Sequence, residues 1–201
     1  MTLDVWRLVL ESNRDLVIRT DLDYFQDHFV GKPIDNWAPP PITVRGKSKR
    51  LRDFVSWMLM APVVSDRAKG ALEELLEPHV QVLPLIQLRG KQYYAINVTR
   101  LVDCLDRQRS DVVYDRRDSS RILNIYRFRF AASRLESVPI FKLPDYPDEV
   151  FVRGSFVEAV KKHDLRGAAF ADPGGAAFEA ILRGDSQNVV AGAPGTRRNA
   201  D

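Results

Sequence analysis

Cysteine is nearly absent from this chain, where Cys104 stands alone among 201 residues. One thiol closes no intrachain disulfide and supplies no cysteine-based zinc site. Histidine is almost as scarce. His28, His79 and His163 lie far apart, none has a second histidine at ligand spacing, and the His-Glu-x-x-His arrangement is missing. Long apolar runs are missing too, since no stretch approaches the roughly 20 residues that a bilayer-spanning helix needs. The opening MTLDVWRLVLESNRD puts an acid at position 4 and breaks its apolar run early, unlike a signal peptide. These absences predict a cytoplasmic protein and make the Asn97-Val98-Thr99 sequon a chance match.

A dominant charge is also lacking. Thirty basic residues against 27 acidic ones leave a net charge of +3, too little to drive nucleic-acid binding by itself, although the pI is ≈ 9.1. The local excess at Arg45, Lys47, Lys49, Arg50 and Arg52 has no interleaved aromatic residue to stack on bases, so a solvated basic loop is preferred to a nucleic-acid or adaptor surface. Catalytic motifs fail on inspection. Gly46-Lys47-Ser48 would end a phosphate-binding loop only with glycine five positions earlier, where Pro41 stands. Asp21-Leu22-Asp23 reads as a solvated turn before a cation site, and there is no Gly-x-Ser-x-Gly elbow. Cys104, between Val102 and Leu105, reads as a small buried hydrophobe rather than a nucleophile. No catalytic residue, cofactor or metal is assigned, and no small-molecule substrate is expected.

What is present is a foldable mixture, with 45% hydrophobic and 28% charged residues, of a length suited to one core. Residues 1–175 are expected to form a single globular domain and residues 184–201 a flexible tail. Residues 3–10 and 41–45 read as strands, while residues 22–30 fit either a short helix or a strand. Ala68, Ala71, Leu72, Leu75 and Leu76 repeat at helical spacing behind Ser65 as N-cap, and Pro78 ends the run. Residues 80–88 and 93–98 predict a hairpin turning through Arg89-Gly90-Lys91-Gln92, with Pro84 at an edge or bulge. Thr99 is expected to cap a short helix through Leu105. In residues 122–130, Tyr126, Phe128 and Phe130 alternate with Arg127 and Arg129, which predicts a half-buried strand. Residues 140–143 and 149–152 predict strands joined by a Pro144-Asp145-Tyr146-Pro147 turn, followed by a helix with Ser155 and Glu158 at capping-box spacing and Lys161, Lys162 and His163 at its end. Residues 167–171 offer a last strand. Strands outnumber helices and lack regular helical crossovers, so the fold class expected is α+β, a mostly antiparallel sheet with a few short amphipathic helices packed on it.

Two charged stretches are candidate partner-binding faces. The first, in residues 100–121, carries Asp103, Asp106, Arg107, Arg109, Asp111, Asp115, Arg116, Arg117, Asp118 and Arg121. So many arginines keep the acids ionised, which argues against paired carboxylates doing acid–base work and for a salt-bridged surface, with a partner face as second reading. An enzyme site assembled from these charges is the alternative from a different class. The second stretch sets Tyr146 as an aromatic anchor among Asp145, Asp148 and Glu149.

Three blocks carry a family resemblance: DFVSW with APVVSDRAKGALEELLEPH, then YYAINVTRLVDCLDRQRS, then VPIFKLPDYPDEVFVRGSFVEAVKKHDLRGAAF. In this order they resemble the bacterial immunity-protein family eleven, once catalogued as a domain of unknown function and associated with polymorphic toxin systems. The resemblance covers roughly residues 53–173 and leaves residues 1–50 as a variable N-terminal part. It implies a cytoplasmic protein that binds a cognate toxin domain and blocks it without chemistry. Because the chain is not the acidic decoy that a strongly basic nuclease would meet, the expected target is either not such a nuclease or one met by an acidic patch that net charge conceals.

Overall fold

The run VWRLVL, rich in β-branched and aromatic side chains, forms the strand β1 (Val5–Leu10) around which the first sheet is built. The computed structural model describes residues 4–10, 17–19, 28–45, 51–55, 61–135 and 137–175. Among them β1 is followed by β2 (Val17–Arg19), β3 (Thr43–Arg45), β4 (Phe54–Val55), β5 (Val63–Ser65), α1 (Asp66–Leu76), β6 (Val80–Leu88) and β7 (Lys91–Val98). Then come β8 (Asp111–Tyr114), β9 (Ile122–Arg127), β10 (Ile140–Leu143), β11 (Tyr146–Arg153), α2 (Gly154–Lys162) and β12 (Ala168–Ala171). The strands form two four-stranded sheets, ordered β10-β11-β1-β12 and β4-β5-β7-β6, and two hairpin-sized sheets, β2-β3 and β8-β9. Their pairings are antiparallel, so the chain is α+β as its pattern predicts.

Strand periodicity sorts side chains between cores. On the first sheet Leu8, Ile140, Val150, Val152 and Phe170 face a core shared with both helices and with Phe54, Val64, Ile96 and Val98 of the second sheet. The alternate residues Val5, Phe141, Leu143 and Phe151 face a second core containing Val102, Cys104, Leu105, Ile125 and Phe128. Moving β11 by one residue would exchange the two sets, so burial on both faces fixes its register. A third cluster lies behind the second sheet, where Val55, Val63, Leu83, Leu85, Tyr93 and Ala95 close over Phe29.

Helix α1 follows the pattern that predicts it. Ala68, Leu72 and Leu76 are buried, and the Ser65 hydroxyl accepts from the Ala68 amide at 3.2 Å. Helix α2 buries Phe156, Val157 and Val160, each side chain contributing about 1.5–3 kcal/mol by leaving water. Its cap differs from expectation. The N-cap is Arg153 without a side-chain cap, Ser155 is already helical and exposed, and the Asp4 carboxylate accepts from the Gly154 amide at 3.0 Å. The local Ser155–Glu158 spacing was overridden by an acid 150 residues away that approaches where Gly154 has no Cβ.

The β6–β7 hairpin closes through Arg89-Gly90 alone, with φ of 51° and 78°, the conformation of a two-residue primed turn. Lys91 and Gln92 belong to β7. Pro84 sits on an edge strand at a register shift, where its missing amide hydrogen breaks no ladder. The 144–147 turn is also shorter than expected, because Tyr146 pairs with Leu143 and opens β11.

Residues 99–105 are not a helix. Leu101 bridges Lys142 in parallel and Leu105 bridges Phe130 antiparallel, so the segment runs extended between β10 and the end of β9. Two sets of interstrand partners outcompete one helical turn, although Val102 and Leu105 are buried as expected. The alternation expected over residues 122–130 also breaks, since Phe128 is buried but Tyr126 is 58% exposed. The cause is a bulge, described below. Of residues 22–30 only 28–30 are described, as a bend; Asp21–Asp23, Gly46–Ser48, most of the basic segment and residues 184–201 lie outside the described residues.

Candidate functional site

The two charged stretches come together in space. The extended 101–106 segment is tied to β10 by Val102 N–H to Lys142 C=O and Lys142 N–H to Arg100 C=O, each 2.9 Å. It is tied to the far side by Asp106 N–H to Arg129 C=O and Ala131 N–H to Cys104 C=O, each 2.8 Å. Such pinning turns Val102, Cys104 and Leu105 inward and leaves Asp103 outside. From there Arg107 donates both to Asp103 at 3.2 Å and to Asp145 on the β10–β11 turn, and Arg134 lies 3.7 Å from Asp103. The hydrogen bond to Asp145 is the main reason the Arg107 pKa is raised further. Asp103 and Asp145 are 54% and 47% exposed, which suits a salt-bridged surface rather than a desolvated acid–base pair.

The remaining candidates divide. The Asp106 carboxylate and carbonyl both accept from the Arg109 amide at 3.2 Å, shaping the turn into β8. Asp148 is exposed. Tyr146 is half-buried: its ring lies 6.1 Å from that of Phe128, and its hydroxyl donates to Asn124 Oδ1 at 3.3 Å. Burial first, then the charges of Glu149 and Asp148, push the Tyr146 hydroxyl up to about 12 against the pull of Arg7. Glu149 corrects the expectation. It is 8% exposed and paired with Arg7 between β1 and β11, so it belongs to the interior and not to an acidic rim. Its place on the inward face of β11 decides this.

Two features escaped the sequence reading. Lys142 is fully buried, donating its amine to the Phe29 carbonyl at 2.6 Å and the Pro147 carbonyl at 2.7 Å. Burial lowers its pKa to about 7, opposed by the charges of Asp148 and Glu149. The signal was present in Ile140-Phe141-Lys142-Leu143, a charge inside an apolar strand. The second feature is apolar. Val113, Tyr114, Leu123 and Tyr126 are the exposed large hydrophobic residues among those described, and all four lie on the β8–β9 hairpin.

A cleft of ≈ 410 Å³ is lined in part by Asp53, Asp66, Arg67, Gly90 and Tyr93, with no histidine among the described lining residues. Burial works to raise the Asp53 carboxyl, but hydrogen bonds from Arg67, the Arg166 amide and Ser65 outweigh it and hold the pKa below the usual carboxylate value. Among the described residues no three histidine, cysteine, aspartate or glutamate side chains gather as a metal site. Cys104 is buried, and Asn97 is fully buried, its amide donating to the Lys32 carbonyl and to Gln81, so the sequon is inaccessible in the fold. No helix among the described residues is long and apolar enough to cross a membrane.

A model of an immunity protein family, Imm11, matches residues 5–174. The match begins well before the three blocks that carry the resemblance and takes in β1, the strand at the centre of the first sheet. No curated protein matches the chain.

Proposed function

The chain belongs to the Imm11 immunity protein family, and on that premise we propose that it neutralises a cognate toxin domain in the cytoplasm by binding it, without chemistry of its own. The observation that carries this reading is the extent of the family match, 5–174, which spans every strand and helix described. The geometry supports it. A binding inhibitor needs a rigid scaffold and a complementary surface, and here two sheets buried on both faces hold a charged surface in place. Asp103, Asp106, Arg107, Arg109, Asp145, Tyr146 and Asp148 contribute to that surface in this proposal.

The experiment is co-expression with the toxin domain encoded beside this gene. Neutralisation predicts survival above an empty-vector control and a complex that elutes as one species in gel filtration. Survival no better than the control, with the two proteins eluting separately, would remove the proposal.

A further inference from the structure

We propose that the toxin domain docks on the β8–β9 hairpin, placing an apolar patch ringed by carboxylates against Val113, Tyr114, Leu123 and Tyr126. This inference rests on the neutralising function proposed above and adds the hairpin to the contact surface proposed there, which it meets where the Tyr146 hydroxyl donates to Asn124.

The exposure of Leu123 and Tyr126 is built into the ladder. Asp111 pairs with Arg127 and Val112 with Ile125, so Tyr126 has no partner across the hairpin; Val113 pairs with Asn124 and Tyr114 with Ile122, so Leu123 has none either. Each is the extra residue of a bulge, and such residues leave the pairing and re-aim their side chains. Tyr126 is 58% and Leu123 49% exposed, with Val113 and Tyr114 each at 38%. The neighbours are ordinary core. Val112, Ile122 and Ile125 pack with Phe128, Val102 and Leu105, so the hairpin is seated while its bulged residues point away. Asn124 is held by the Tyr146 hydroxyl, and Phe128 N–H donates to the Pro173 carbonyl at 2.8 Å.

Among the described residues the hairpin pairs with no other strand. Two register breaks in so short a ladder spoil its edges as templates for an added strand, which favours recognition through side chains. Tyrosine and arginine, both exposed on this hairpin, are among the residue types in which binding hot spots are enriched.

Charge identifies the partner's chemistry. From Arg109 to Arg129 six arginines face three aspartates. Asp111 is taken by Arg127 at 2.6 Å, Asp115 lies 3.9 Å from Arg121, and Asp118 accepts from Ser120. The guanidinium groups of Arg109, Arg116 and Arg117 have no acidic partner among the described residues. Uncommitted guanidinium groups in the hairpin's loop and just before β8 complement carboxylates, which bind them as bidentate, charge-assisted pairs. The face contacted on the toxin is therefore acidic, and the phosphate-binding cleft of a basic nuclease does not fit it.

The test is isothermal titration of the toxin domain encoded beside the gene with the full chain and with L123D, Y126D and R116E/R117E, using K161E on α2 as control. Docking here predicts at least about a tenfold weakening for each hairpin variant, the scale of a lost hot-spot contact, with unchanged melting curves and no effect of K161E. It also predicts that wild-type affinity falls with added salt and that R116E/R117E removes most of that dependence. If wild type binds and the hairpin variants bind equally well, the hairpin assignment is overturned while neutralisation by binding stands. If wild type neither binds nor protects, the neutralising function falls and this inference with it. A chain that dimerises alone and is split by Y126D would assign the hairpin to self-association and also overturn the proposal.

Discussion

Arg7 on β1 and Glu149 on β11 meet as a buried ion pair between neighbouring strands, 142 residues apart in sequence, with the Arg7 guanidinium also 5.4 Å from the centre of the Phe128 ring. Burial raises the Glu149 pKa while Arg7, by charge and hydrogen bond, and then Lys142 work to lower it, so Arg7 is the carboxylate's main counter-charge. R7M should destabilise the fold by about 3–5 kcal/mol in urea unfolding, because it leaves an uncompensated buried charge. R7M/E149L should recover most of the loss, and equal losses in the single and double variants would contradict this account of the pair.

Lys142 predicts a pH dependence of known sign. Its pKa falls from 10.5 to about 7 on folding. Below about pH 7 the amine is charged in both states and the burial cost is fully felt. Above that, the unfolded chain binds the proton and the folded protein does not, so stability rises with pH toward 10.5. From about pH 7 to about pH 9 the gain should be on the order of 2 kcal/mol in wild type. K142M should lack it, and parallel curves for the two proteins in chemical unfolding across that range would refute the assignment. Glu149, whose pKa Lys142 helps to lower, is a carboxylate whose usual range lies well below this window, so the difference between about pH 7 and about pH 9 reports mainly on Lys142.

Asp4 closes the first turn of α2 through the Gly154 amide, and a Cβ added at Gly154 would lie 2.0 Å from Asp4 Oδ2. D4A should therefore cost about 1 kcal/mol, the usual loss for a helix cap. G154A should also destabilise, by displacing the same carboxylate. Thermal melts of the double variant should show less than the summed loss, whereas strict additivity would mean the two positions are not coupled.

Asp53 joins β4, α1 and the segment leading to β12 by accepting from Ser65 Oγ at 3.0 Å, Arg67 Nη2 at 2.6 Å and the Arg166 amide at 3.0 Å. Its folded pKa lies below 3.8, so its contribution is present at neutral pH and is lost as the pH falls through the folded value. D53N should be less stable than wild type at neutral pH and should converge with it in acid. A constant difference across an acid titration followed by circular dichroism would contradict that.

Legibility followed the range of the interactions. Helix α1 was readable because its cap, apolar stripe and stop all lie between Ser65 and Pro78, and the β6–β7 hairpin because Arg89-Gly90 carries its own turn chemistry. Residues 99–105 misled because their partners, Lys142 and Phe130, are distant in sequence. The α2 cap misled for the same reason. Tyr126 was placed inward by simple alternation, which cannot register a residue inserted opposite no partner. At the candidate site, local charge marked Arg107 and Asp145 separately, but their meeting needed the sheet that brings the β10–β11 turn to the 101–106 segment. Glu149 read as a surface acid because Arg7, its partner, lies near the other end of the chain.

The central claim is inhibition by binding alone. The most direct measurement is titration of the toxin domain's activity against this chain, followed by denaturing separation and mass analysis of the toxin. The account predicts inhibition complete near one molar equivalent and a toxin recovered with unchanged mass and full activity on refolding. Inhibition at a small fraction of an equivalent, or a toxin returned with altered mass, would show that the chain acts as an enzyme and would contradict it.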